Sequence, residues 1–248
     1  MTYFVALIYA YICIRLLAKA MGKYRIWTYV ISLLIAVGIQ FIHPDIFEIL
    51  GPLPYGFFVY PLLSASFATA LFFFVMWCPL LPKQWTITKL SYGYRTELSI
   101  VASVLTLAHN LYYGCIRHQI FISVISNPID WSEPPYATLI SAFLVILLIA
   151  LWITSYPSVR KKMKPSSWKK LQRLAYPFWI GIHLHVLVLY RHVFTSLAEQ
   201  GMNLYVFNSL LNFILFATTM VLWIGLKWRK GYQKRTHHNR IDFFHNSY

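Results

Sequence analysis

Residues 136–155 read YATLISAFLVILLIALWITS, an unbroken stretch without an acidic or basic side chain. A helix rises 1.5 Å per residue, so about 20 residues cross the roughly 30 Å of hydrocarbon in a bilayer. An apolar run of this length reads as a membrane span. Stretches of the same character lie to either side: Thr2 to Ala18, Ile26 to Ile42, Phe57 to Cys78, Leu98 to Ile116, Leu174 to Tyr190 and Leu204 to Leu226. The expected fold is therefore all-α, a polytopic membrane helical bundle of about seven transmembrane helices.

Composition agrees. The 248 residues are 58% hydrophobic and 12% charged, where a soluble domain carries about 25% charged residues. The formal charge of +15 does not suggest nucleic acid, because the basic residues alternate with long apolar stretches and form no soluble basic face. They sort by side of the membrane instead. With the N-terminus outside and the C-terminus inside, every Lys and Arg except Arg117 and Arg191 falls on one face, as the positive-inside rule asks. Asp45, Glu48, Asp130, Glu133 and Glu199 fall on the other, and no carboxylate lies within the expected spans. The location expected is a multi-pass cell membrane, plasma or inner.

The first stretch has no basic region before it and no small-residue cleavage site ahead of Arg15, so it reads as a retained helix and not a signal peptide. Cys13, Cys78 and Cys115 are far apart and fit no disulfide or zinc spacing. Most prolines stand in or beside the connections, whereas Pro61 and Pro177 sit in the first turns of the third and sixth spans, where they are expected to kink the helix. Three regions result: an N-terminal helix with a basic loop over 1–25, a helical domain over 26–228, and a basic cytoplasmic tail over 229–248.

Ionisable residues at membrane depth are costly and point to function. His109 stands about eleven residues into the fourth span and His185 about eleven into the sixth, at similar depth slightly beyond the midplane. Two neutral imidazoles at one level on neighbouring helices suit the two axial positions of a haem iron. They also suit hydrogen bonds to carbonyls of neighbouring helices, and spacing does not choose between these roles. His183 and His185 point about 200° apart, so only one faces a given plane. Gly181 shares the face of His185, leaving room either for a flat macrocycle or for a close helix contact. Arg117 and Arg191 lie roughly 12 and 9 Å outward of the two histidines, within reach of haem propionates or free to snorkel to the interface. His118 and His192 belong near the outer surface, and His43, His237, His238 and His245 to loops and the tail. No nucleotide-binding or hydrolase motif is present.

A set of short motifs then falls in a telling order. Ile153-Thr154-Ser155 is followed by a basic loop, by Trp168-Lys169-Lys170-Leu171-Gln172-Arg173-Leu174-Ala175-Tyr176, and by His185. Arg95, Leu98 and His109 precede Asn110-Leu111-Tyr112-Tyr113, and Pro44-Asp45 leads through the third span to Pro79 and Pro82-Lys83. This order resembles the ferric-reductase-like transmembrane superfamily, most closely its MsrQ/YedZ branch of haem-binding membrane subunits that serve a periplasmic methionine sulfoxide reductase. The resemblance covers residues 26–226, leaving the first helix as an addition to a six-helix core.

The resemblance implies a b-type haem and an electron conduit, from a cytoplasmic or membrane donor to an extracytoplasmic redox partner. By position it carries ligand roles to His109 and His185 alone. Where the family motif has an inner histidine this chain has Gln172, so one haem is expected, in the outer half of the membrane. No flavin or nicotinamide domain is visible, so the donor would be a soluble flavin reductase, a bound flavin such as FMN, or membrane quinol. The basic loop from Arg160 to Arg173 suits a flavin phosphate or an acidic partner, although membrane topology alone also accounts for it. The chain would then be an electron-transfer subunit of an oxidoreductase system. A quinol-oxidising cytochrome b anchor of another complex, and a haem-free transporter or assembly scaffold, are the rival readings.

Overall fold

A hydrocarbon solvent offers no water to an unpaired amide, so a segment crossing it has to satisfy its own backbone. In the computed structural model, which describes residues 2–42, 46–51, 54–113 and 135–245, the described residues form helices and turns and no strand. Each of the seven stretches singled out above contains helix where it is described. Three helical runs are long and apolar enough to cross a membrane: Tyr3–Lys23, Pro165–Gln200 and Leu204–Gln233. A bent pair, Tyr55–Leu63 with Ser66–Trp77, adds a fourth if counted as one span, while Arg25–Gln40 and Leu139–Ser155 are apolar but shorter. Large side chains lie bare on the outside, Phe41 at 81%, Ile26 at 76% and Leu34 at 65% exposure. Apolar surface on that scale suits lipid contact.

The N-terminal helix α1 (Thr2–Lys23) is followed by α2 (Arg25–Gln40) and the short α3 (Ile46–Leu50). On α1, Tyr3, Ala6, Ala10, Ile14 and Ala18 recur every three or four residues and are sealed, none more than 1% exposed. Alanine at these positions lets neighbouring backbones approach closely, which is how helices associate where the hydrophobic effect is absent. At the C-terminal end of α1, a Cβ added to Gly22 would run into the ring of Tyr94. The backbone amide of Tyr3, one of those a helix leaves unpaired at its start, donates to Asn212 Oδ1 at 3.2 Å, and its ring stacks on Phe216 at 4.0 Å. The helix expected as an addition is thus closed into the core.

The third span is broken. A π-helical turn over Tyr55–Val59 leads into α4 (Tyr60–Leu63), and α5 (Ser66–Trp77) leaves at 68° to that pair. Pro61 has no amide to offer Phe57, and next to it the Tyr60 amide bonds back to Tyr55, five residues away. The sharp bend comes later than the sequence suggested, at Ser64–Ala65. Ala65 takes a left-handed φ of 55°, which costs a residue with a Cβ roughly 1–2 kcal/mol.

Next come α6 (Thr86–Gly93), α7 (Arg95–Leu111), α8 (Pro135–Ser155), α9 (Pro157–Arg160), α10 (Pro165–Gln172), α11 (Ala175–Tyr190), α12 (Val193–Gln200) and α13 (Leu204–His245). Pro177 sits in the first turn of α11 without ending it. α13 runs as one 42-residue helix through residue 229, where the basic tail was expected to begin. Both α7 and α11 pack on α5 and α8, so α7 and α11 face each other across a four-helix ring. Polar bonds set the C-terminal end of α7: Gln40 Nε2 donates to Ala108 O at 3.0 Å, and Ser141 Oγ donates to Asn110 Oδ1 at 3.0 Å.

Glu97, one residue before the expected fourth span, is 2% exposed. Arg25 Nε of α2 lies 2.7 Å from its Oε1, a charge contact without the alignment of a hydrogen bond. Arg25 is 56% exposed and keeps its hydration, whereas the carboxylate has little else to stabilise it.

Two outcomes follow for stability in detergent. Ala10→Leu, which forces extra volume into a sealed helix contact, should cost about 1–3 kcal/mol and lower the thermal midpoint. Arg25→Ala should destabilise more than Glu97→Gln, by roughly 1–3 kcal/mol, because it leaves the buried acceptor without its partner; equal losses would mean that the pair is not what holds α2 to α7.

Candidate functional site

His109 lies in the last turn of α7, between the two polar ties at Ala108 and Asn110. Its Nδ1 is 2.6 Å from the carbonyl oxygen of Leu63, at the end of α4. His185 lies on α11, and its Nδ1 is 3.1 Å from the carbonyl oxygen of Ala137, near the start of α8. A carbonyl only accepts, so each Nδ1 carries the proton, and in a neutral imidazole Nε2 then holds the lone pair. Among the described residues no hydrogen bond engages Nε2 of either ring. The ring of Tyr113 lies 4.9 Å from that of His109.

The other two described imidazoles differ in this respect. His183 is fully buried, with Nδ1 2.9 Å from Trp179 O and Nε2 3.3 Å from the Thr219 hydroxyl, and it packs edge-on against Trp179 and Phe216. It tethers α11 to α13. His192 has Nδ1 2.6 Å from Leu189 O and Nε2 3.0 Å from the Tyr205 hydroxyl. Both nitrogens are occupied in each, so only His109 and His185 among these four hold a nitrogen ready for a ligand bond.

The remaining expected site residues are less clear-cut. Beside Gly181, Leu144 Cδ2 would stand 2.6 Å from an added Cβ, so the glycine serves a close contact between α11 and α8. A macrocycle lying against Gly181 requires that leucine to turn aside. Arg191 caps the end of α11 at the surface. Arg117 and His118 lie outside the described residues, as do Cys115 and His43. Among the described residues no group of three or more His, Cys, Asp or Glu gathers as a metal site; a haem iron held from its two faces asks for two protein ligands.

The surroundings of Gln172 are organised differently. Gln172 Nε2 donates to Thr154 Oγ1 at 3.2 Å, Trp168 Nε1 donates to Thr154 O at 3.1 Å, and the guanidinium of Arg160 lies 4.2 Å over the Trp168 ring. The two motifs flanking the basic loop thus close on each other, and Gln172 holds α10 to α8. Sequence reasoning missed the contributions of Leu63, Gln40 and Ser141. Gln40 carried a usable signal, as an amide side chain near the end of an apolar span; a backbone carbonyl carries none.

No family model matches this chain, and no solved structure does. An uncharacterized protein of Treponema pallidum (strain Nichols) is 33% identical over 178 residues, which are 71% of this chain and 46% of that protein. The chain therefore spans about half the length of the relative it matches.

Thr154→Val removes the hydroxyl that receives Gln172. It should lower stability by about 1 kcal/mol and make the 161–172 segment more accessible to limited proteolysis, whereas an unchanged cleavage pattern would show that the loop is fixed by other means.

Proposed function

We propose that the chain is a multi-pass membrane protein of the cell membrane that holds one b-type haem between His109 and His185 and carries electrons to an extracytoplasmic acceptor, in the manner of the MsrQ/YedZ subunits. In this reading the chain crosses seven times, with the amino terminus outside and the basic loops inside. The observation that carries it is the pair of unengaged Nε2 atoms on α7 and α11, helices that face each other across a four-helix ring. Each Nδ1 proton is already given to a backbone carbonyl, the outer partner that metal-ligating histidines use to fix ring orientation and raise ligand basicity.

A haem bound there supplies one-electron transfer. His109 and His185 would hold the group, and with both histidines as ligands it would serve electron transfer and not oxygen chemistry. Arg191, at the outward end of α11, and Arg117 are the cations suited to its propionates. Thr154, Trp168 and Gln172 occupy the inner position with hydrogen bonds among themselves, which supports one haem and not two. The donor in this reading is reduced flavin, FMN included, delivered by a cytoplasmic reductase, or membrane quinol. A quinol-oxidising cytochrome b anchor of another complex would use the same two ligands.

Leu144 against Gly181 favours a second reading, a haem-free bundle acting as transporter or scaffold, because it fills the place a macrocycle would take. Colour separates the two. Protein expressed with ample haem should show a Soret band at one haem per chain. Both His109→Ala and His185→Ala should lose it, and replacing Arg117 and Arg191 with Gln should shift the midpoint potential. A colourless wild type would leave the second reading standing, and bands unaffected by either histidine change would overturn His109 and His185 as the ligands.

A further inference from the structure

In a continuous helix the carbonyl of Leu63 would accept the amide of Phe67 four residues on. The break at Ser64–Ala65 prevents this. Ser64 N turns back to Tyr60 O at 2.8 Å and Ala65 N to Leu62 O at 3.3 Å, and among the described residues no backbone amide reaches Leu63 O across the break. Leu63 is fully buried, so water cannot take the missing donor's place. His109 Nδ1 does, at 2.6 Å.

Proline does not explain this. Pro61 removes a donor from Phe57 O, more than a turn before Leu63, so a proline kink alone would leave the Leu63 carbonyl inside the helical ladder. The break is held by other means. Ser64 Oγ donates to Tyr60 O at 2.7 Å and lies 2.8 Å from Ser66 Oγ, while Ala65 adopts the one positive φ found at a non-glycine residue among those described. A strained backbone persists where its surroundings over-determine it, and such places cluster at functional sites.

We infer that the Ser64–Ala65 break is a positioning device for His109: it frees the Leu63 carbonyl to hold the Nδ1 proton, so that Nε2 is the nitrogen left to bind a ligand. Ser64, Ala65 and Ser66 are the positioning residues. His185 is held differently, since Ala137 O belongs to the continuous helix α8 and already serves the helical ladder. The two rings should therefore respond separately to changes at the break. The ligand role of Nε2 rests on the haem reading above; the tautomer does not.

The test is nitrogen NMR of the full-length chain in detergent, with its histidines labelled, prepared without haem and with it. In the haem-free wild type, His109 should show a protonated Nδ1 and an unprotonated Nε2, and Ala65→Gly, which suits a left-handed φ, should keep that pattern. Ser64→Ala, Ala65→Val and Ser66→Ala combined should abolish it at His109, leave His185 as it was, and weaken haem retention roughly 10-fold, the lower end of outer-partner effects on metal sites. A proton on Nε2 of His109 in the wild type overturns the inference, as does an unchanged His109 in a folded triple variant. If that variant does not fold, the wild-type and Ala65→Gly tautomers decide. A colourless wild type with the expected tautomer would sink the haem reading and leave the positioning intact; haem bound through both histidines, with the opposite tautomer before loading, would do the reverse.

Discussion

Within lipid every peptide group has to be paired by protein, and this constraint shapes the molecule more than any side-chain preference. It makes the described chain helical. It also makes each departure from a helix expensive, so the carbonyls and amides released at a break identify what the break serves. At Ser64–Ala65 the released group is Leu63 O, and the partner it meets is an imidazole from α7. The same logic governs α1, whose unpaired first-turn amide at Tyr3 finds the side chain of Asn212, and the C-terminal end of α7, where Gln40 reaches the carbonyl just before His109.

Helix positions were legible because apolar runs of twenty residues have few alternative explanations, and helical stretches fall where hydropathy put them. The opposition of His183 and His185 was legible for an equally simple reason: two residues apart on a helix means opposite sides, and the rings indeed take different partners. The break was not legible. A left-handed residue is ordinarily announced by glycine, and here it is Ala65, so only Pro61 gave warning and it pointed a turn too early. Glu97 stands one residue before the expected fourth span, and its burial goes with Arg25, a pairing between separate helices that no local pattern encodes. Gly181 could mean a slot or a close contact, and the answer lay in Leu144, a residue of another helix.

The two ends of the ring use polar side chains in opposite ways. At the Thr154 end, Thr154, Trp168 and Gln172 spend their hydrogen-bonding capacity on one another and on the backbone, and they fix the basic segment between α8 and α11. At the His109 end, His109 and His185 spend one nitrogen each on structure and hold the other in reserve. A polar group that is kept unengaged in a low-dielectric interior is costly unless something else meets it. That asymmetry is the physical content of the redox proposal.

The alanine face of α1 also bears on how such a chain is made. Its neighbours include α5 and α13, and α13 does not exist until some two hundred residues after α1 has left the ribosome. During synthesis α1 can meet α5 early, whereas Tyr3 has to wait for α13. Closure comes when Asn212 and Phe216 arrive to meet Tyr3. The start of the earliest helix is thus among the last parts to be locked, so a chain stopped short of α13 would leave that end of α1 open to the machinery that removes unfinished membrane proteins.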